Sequence, residues 1–243
     1  RGVDEHRGIG LWVARARRGL SRPPEEILRR VAFEARALLD RTAMAPDAAI
    51  EDSKLVFLPY PSLDNATSQE RAKIRAGADR ARKLVVDLLG SGPVGLSWPI
   101  DWHADFKSQH RWKQGNYFRD LDLNDLGRDS DVKVPWELSR LQWLIPVGED
   151  YVLGGDRSHP EFVRDVVVNW IEANPFARSV NWGIAMEPAM RIFTWTWLFQ
   201  TFSDCVAWRE PIFRRQFLAT LHRHGEFVSR YIEDFGSGGN HLV

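Results

Sequence analysis

Two apolar stretches of this 243-residue chain each carry an acid and a base at helical spacing: Glu137 with Arg140 at i and i+3, and Glu187 with Arg191 at i and i+4. Residues so spaced share one helix face. An ion buried without a partner costs several kcal/mol, so these charges must pair or line a cavity. If the two helices are neighbours, the four side chains form one cross-linked ion-pair network. Two readings fit: a structural network that sets helix register at a cavity rim, or carboxylates for glycoside hydrolysis, with Asp105 and Glu137 as candidates. The second needs two carboxyls facing each other at a set separation. Pro188, directly after Glu187, lacks an N–H and predicts a kink or local opening of its helix.

Near the C-terminus, Gly238-Gly239-Asn240-His241 places an amide donor beside a titratable imidazole, after glycines that permit close backbone approach. The same run also reads as a turn carrying a surface imidazole. Other chemistry is weakly signalled. His222 and His224, two apart on a helix, point to different faces, and no third metal ligand stands at a recognisable spacing, so no metal or other cofactor is expected. Cys205 is the single cysteine, which excludes an intrachain disulfide. Gly8-Ile9-Gly10 lacks the strand and the further glycine of a dinucleotide loop.

Thirty-three basic against 33 acidic residues give no electrostatic footprint for nucleic acid. The most apolar segment, 184–202, is interrupted by Glu187, Pro188 and Arg191 and is no membrane span. The start at Arg1 shows no signal-peptide succession.

The elements that must position these residues read as helices. Pro23-Pro24 followed by Glu25-Glu26 opens one, whose apolar face is Ile27, Leu28, Val31, Ala32, Ala35, Leu38 and Leu39. Thr67 with Glu70 forms a capping box for a second, whose apolar spacing runs through Val85 and Leu88 to Gly90. Lys54 to Leu58 reads as a short strand or an extended segment. Further helices are expected over 135–147, from Pro160 to Asn174, over 182–202 with neighbours on every side, and from Pro211 to about Ile232. Residues 1–22 read as an N-terminal arm. Periodicity vanishes over 91–134, where Trp98, Trp102, Phe106, Trp112, Tyr117 and Phe118 stand among charged residues. So long a loop is either a ligand-binding surface or a structural segment pinned by its tryptophans. The chain is expected to be a single all-α domain.

Five blocks resemble a known family: Asp101-Trp102-His103-Ala104-Asp105-Phe106; Asp131-Val132-Lys133-Val134-Pro135-Trp136-Glu137-Leu138-Ser139-Arg140; Asn174-Pro175; Asn181-Trp182-Gly183-Ile184-Ala185-Met186-Glu187-Pro188-Ala189-Met190-Arg191; and Gly239-Asn240-His241-Leu242. Their order is similar to that of the N-terminal domain of heparinase II/III-like polysaccharide lyases. The resemblance implies an incomplete α/α toroid, a C-terminal β-sandwich that lies outside this chain, and β-elimination on uronic-acid-containing glycans. It implies that Asn240 neutralises the uronate carboxylate with His241 as its companion, and that Glu137, Arg140, Glu187 and Arg191 form structural ion pairs. The family's catalytic Tyr and a further His fall beyond the Asn-His motif, so the fragment alone is expected to be inactive. Tyr231 precedes the motif and does not match that Tyr. Pro188 departs from the small apolar residue expected at its position.

Substrate contact is expected from Trp102, His103, Lys133 and Trp182, with Trp98 and Trp112 as further stacking candidates. An acidic glycan held by a chain of zero net charge requires a local excess of cations, for which Lys107, Arg111 and Lys133 are candidates. The partners implied are the acidic polysaccharide and the β-sandwich of the same protein; the location implied is periplasmic or secreted. Two other functions remain open: a non-catalytic glycan-binding or capsule and exopolysaccharide assembly protein, and a toroid glycoside hydrolase.

Overall fold

The computed structural model describes residues 23–41, 63–123 and 127–232. The Asn240-His241 motif, the arm and Lys54 to Leu58 lie outside the described residues. The chain divides into two units, Arg1–Ala45 with Ile232–Val243, and Pro46–Tyr231. In the first, α1 (Pro24–Asp40) begins as expected, with a proline at its first position and Glu25 and Glu26 in the first turn.

In the second unit, α2 (Ser68–Arg82) opens on the expected box: the Glu70 N–H donates to Thr67 Oγ1 at 3.2 Å, and the Thr67 N–H donates to Glu70 Oε2 at 2.7 Å. The helix stops short of its apolar pattern. Leu84 turns left-handed at φ 54°, and Val85–Val86 (β1) pairs antiparallel with Val94–Gly95 (β2). A second two-residue ladder joins Ala104–Asp105 (β3) to His110–Arg111 (β4). The helix expected over 135–147 is two. Lys133–Ser139 (α3) ends at Arg140, Leu141 turns left-handed at φ 59°, and a 3-10 turn (Gln142–Leu144) leads into α4 (Ile145–Val152). Pro146 explains the restart: without an N–H it is tolerated in a first turn and not in the middle of a helix.

His159–Ala173 (α5) ends at Asn174-Pro175, as the proline requires. A 3-10 turn (Val180–Trp182) precedes α6 (Met186–Phe202). Pro188 therefore occupies the third helical position, where an N–H has no intrahelical acceptor, and the expected kink has no cause. Val206–Arg209 (α7) and Pro211–Tyr231 (α8) complete the described helices.

The main contacts are α2 with α4, α6 with α8, and α4 with α6. At the last of these, a Cβ on Gly148 would stand 2.5 Å from the Trp197 ring, so glycine sets the helix separation. Gly148→Ala should cost ~1–3 kcal/mol through overpacking, read as a lower urea midpoint at unchanged slope. The core is aromatic: Trp195 packs on Phe217 at 5.1 Å, Trp170 on Trp195 at 5.3 Å, and Trp182 on Phe227 at 5.2 Å. The apolar spread of α6 is only partly enclosed, since Phe193 is exposed.

Candidate functional site

The acid–base pairs do come together, with one change of partner. Across the α3–α6 contact, Arg140 grips Glu187 with both arms of its guanidinium, Nε to Oε2 at 2.9 Å and Nη2 to Oε1 at 2.8 Å, while its Nη1 binds Glu137. Glu187 is buried; Arg140 and Glu137 are half-buried and reach solvent. Bidentate pairing satisfies both oxygens of the buried carboxylate, and the hydrogen bonds from Arg140 to Glu187 raise the Arg140 pKa further. Lys133 is exposed four residues before Glu137, so α3 presents Lys133, Glu137 and Arg140 along one face.

Arg191 is not the fourth member of this ring. Its guanidinium is fully buried between the rings of Trp170 and Trp182, 4.9 and 5.2 Å from their centroids. Its Nε donates to His224 Nε2 at 2.8 Å and its Nη2 to the Asn181 carbonyl at 2.7 Å. Because His224 Nε2 accepts, its Nδ1 carries the proton and donates to the Thr220 carbonyl at 2.8 Å. Burial pushes Arg191 down to about 9, against the pull of Glu187. Burial, then the Arg191 charge, hold His224 well below its ordinary range.

Asn174 accepts from Ser179 Oγ and Asn181 Nδ2 at 2.7 and 2.8 Å, and Asn181 also donates to the Trp102 carbonyl at 2.9 Å. Asn169 Oδ1 accepts from the Trp102 indole at 3.0 Å and from the Ile100 N–H at 3.1 Å. This polar web ties the aperiodic segment to α5 and to the Val180–Trp182 turn. It corrects the expected sugar platforms: Trp102 and Trp182 are 0% and 1% exposed, and Trp112, its indole on the Asp122 carbonyl, is buried with Trp136 and Val180. Trp98, 54% exposed, offers a face to solvent.

His103 is buried too; burial, then the opposing charge of Asp101, set its pKa, and the net shift is downward. Both folded-state histidines, 103 and 224, thus lie below the ordinary value of 6.5. As pH falls through 6.5 the unfolded chain takes up protons that the folded chain refuses, so stability is lost on acidification, at up to ~1.4 kcal/mol per pH unit for each histidine. Urea midpoints followed from pH 8 to 5 should fall accordingly, and His224→Gln, which keeps both hydrogen-bonding roles, should flatten part of the slope.

Asp105 is a loop anchor. Burial raises its carboxyl, but hydrogen bonds from the Ser108 hydroxyl and the N–H groups of Asp131, Lys107 and Ser108 outweigh that and hold it below the usual range. Of the expected cations, Arg111 pairs with Asp101 at 2.8 Å and Lys107 Nζ donates to the Leu89 carbonyl at 2.6 Å. Lys133 is exposed, its N–H donates to Asp131 Oδ1, and its side chain has no partner among the described residues. Among the described residues no cluster of His, Cys, Asp and Glu could hold a metal ion, and no helix is long and apolar enough to cross a membrane.

The sequence model described as heparinase II/III N-terminus matches residues 95–243, a span that holds every member of this network. The chain belongs to the heparinase II/III N-terminus family. Among solved structures, this family member is similar to the heparan sulfate lyase HepC from Pedobacter heparinus, with a TM-score of 0.53 and 16% identity over 87% of this chain and 29% of that one. The likeness shows the fold, an all-α, toroid-like domain; the chain spans less than a third of that lyase. No curated protein matches the sequence significantly.

His224 is the residue of this heparinase II/III N-terminal domain that sequence reasoning missed. Its spacing from His222 points only to a weak metal ligand, yet it is the acceptor for the buried guanidinium. The available signal was Arg191 itself, a cation in an almost wholly apolar helix, which demands an acceptor from somewhere in the chain.

Proposed function

We propose that this chain is the N-terminal part of a polysaccharide lyase that cleaves uronic-acid-containing glycans by β-elimination. Membership of the heparinase II/III N-terminus family over residues 95–243 carries this reading. The chemistry sets clear demands. The C5 proton of a uronate is weakly acidic, so the C6 carboxylate must be neutralised or hydrogen-bonded before the enolate can develop. A base then takes the proton and an acid protonates the departing oxygen. Asn240 is assigned to the carboxylate, with His241 beside it; the acid–base pair is completed by a Tyr and a His of the longer protein. The α3–α6 ion pairs keep the helices in register, and exposed Lys133 supplies local positive charge for an anionic chain.

The hydrolase alternative is disfavoured by the engagement of its carboxylates, Asp105 by four hydrogen bonds and Glu137 by Arg140. The longer protein, incubated with alginate, heparan sulfate, hyaluronan and capsular glycans, should generate the ultraviolet absorbance of an unsaturated uronate from at least one. New reducing ends without that chromophore would reject the lyase; calorimetric binding without turnover would favour a glycan-binding protein.

A further inference from the structure

Away from the ion-pair network, α2 and α4 enclose a cleft of about 520 Å³, within the range of small-ligand sites. Leu63, Ile74 and Pro146 are the large apolar side chains of its lining. Gly77 lets the helices approach so closely, since a Cβ there would stand 2.9 Å from that of Pro146. Three charged side chains at its walls have no partner among the described residues: Lys73 and Arg80 on α2, and the half-buried Glu149 on α4. The other ions nearby are committed, Glu70 to the capping box and Arg75 to Asp150 at 3.6 Å. Lys73 and Arg80, seven residues apart, are separated by ~10 Å along the helix. Burial raises the Glu149 pKa, the mark of a carboxyl that has lost water and gained no donor.

We propose that this cleft is an accessory site for an acidic sugar unit, whose hydroxyls donate to Glu149, whose carboxylate meets Lys73 or Arg80, and whose C–H face rests on Ile74 and Pro146. Three simpler ligand classes each leave a group unanswered. An aliphatic acid brings no donor to Glu149, a neutral sugar brings no anion to the cations, and an amine meets two like charges. The choice of a sugar acid rests on the glycan reading above, but its test does not use turnover.

The chain is titrated with sodium glucuronate, glucose and hexanoate while backbone amide resonances are followed by NMR. Glucuronate should give saturable shifts at residues 73–80 and 149, with at least tenfold weaker binding of the other two. Arg80→Glu, and Lys73→Glu with Arg80→Glu, should weaken glucuronate at least tenfold at an unchanged melting temperature. Absence of saturable shifts, equal binding of hexanoate or glucose, or indifference to charge reversal overturns the proposal. Failure of every uronate polymer to be cleaved would sink the lyase and leave this titration to decide the cleft by itself.

Discussion

Replacing Glu187 by Ala should cost ~3–5 kcal/mol of folding stability, because it strips a buried anion from a guanidinium that holds it with two hydrogen bonds. Domains of ordinary stability hold ~5–15 kcal/mol, so the variant is expected near the edge of unfolding. The loss reaches beyond the pair: Glu187 also supports the charge on Arg191, which burial already pushes down to about 9. Arg140→Met combined with Glu187→Leu should cost less than the two single changes summed, since the buried carboxylate and its guanidinium leave together, while half-buried Glu137 turns to water and Arg191 loses the support of Glu187. Urea unfolding of the four proteins measures the coupling. A Glu187→Ala loss below 1 kcal/mol would show that water reaches the site and that the pair is not closed.

On the proposed lyase reading, Asn240→Ala in a protein that carries the complete site should lower kcat by roughly 10²–10³-fold, the typical effect of removing one donor from developing negative charge. KM should change little, because the amide is needed most as the enolate forms. Asn240→Asp should be worse than Ala, since it sets a second carboxylate against that of the uronate. Initial rates of chromophore formation separate the three. If Asn240→Ala keeps kcat within tenfold of the parent, another group neutralises the uronate and the assignment fails.

Local signals were read well where one residue type decides the backbone. The Thr67–Glu70 box and the prolines at 24, 160, 175 and 211 marked helix ends because each acts within a turn of itself. Apolar spacing misled where a left-handed residue intervened. Val85 and Leu88 continue the rhythm of α2, but Leu84 has already turned the chain into a hairpin. At the candidate site, the i,i+3 pair was legible because its members are neighbours on one helix. The destination of Arg191 was not, since His224 lies 33 residues away and only packing brings it near. The burial of Trp102 and Trp112 was hidden for the same reason: both sit where no period exists and are held by hydrogen bonds to groups elsewhere in the chain.

That burial also changes how the segment from Trp98 to Phe118 meets a protease. Cleavage requires several consecutive residues to leave the surface and extend into an active site, and long irregular segments are ordinarily the first to be cut. Here Ile100 and Trp102 are held by Asn169, Trp102 by Asn181, Asp105 by four donors, and the Phe118 N–H by the Ala177 carbonyl. Freeing a stretch long enough to cut means breaking several of these ties at once, together with the core beneath them, so nicking should follow the global unfolding equilibrium rather than local fraying.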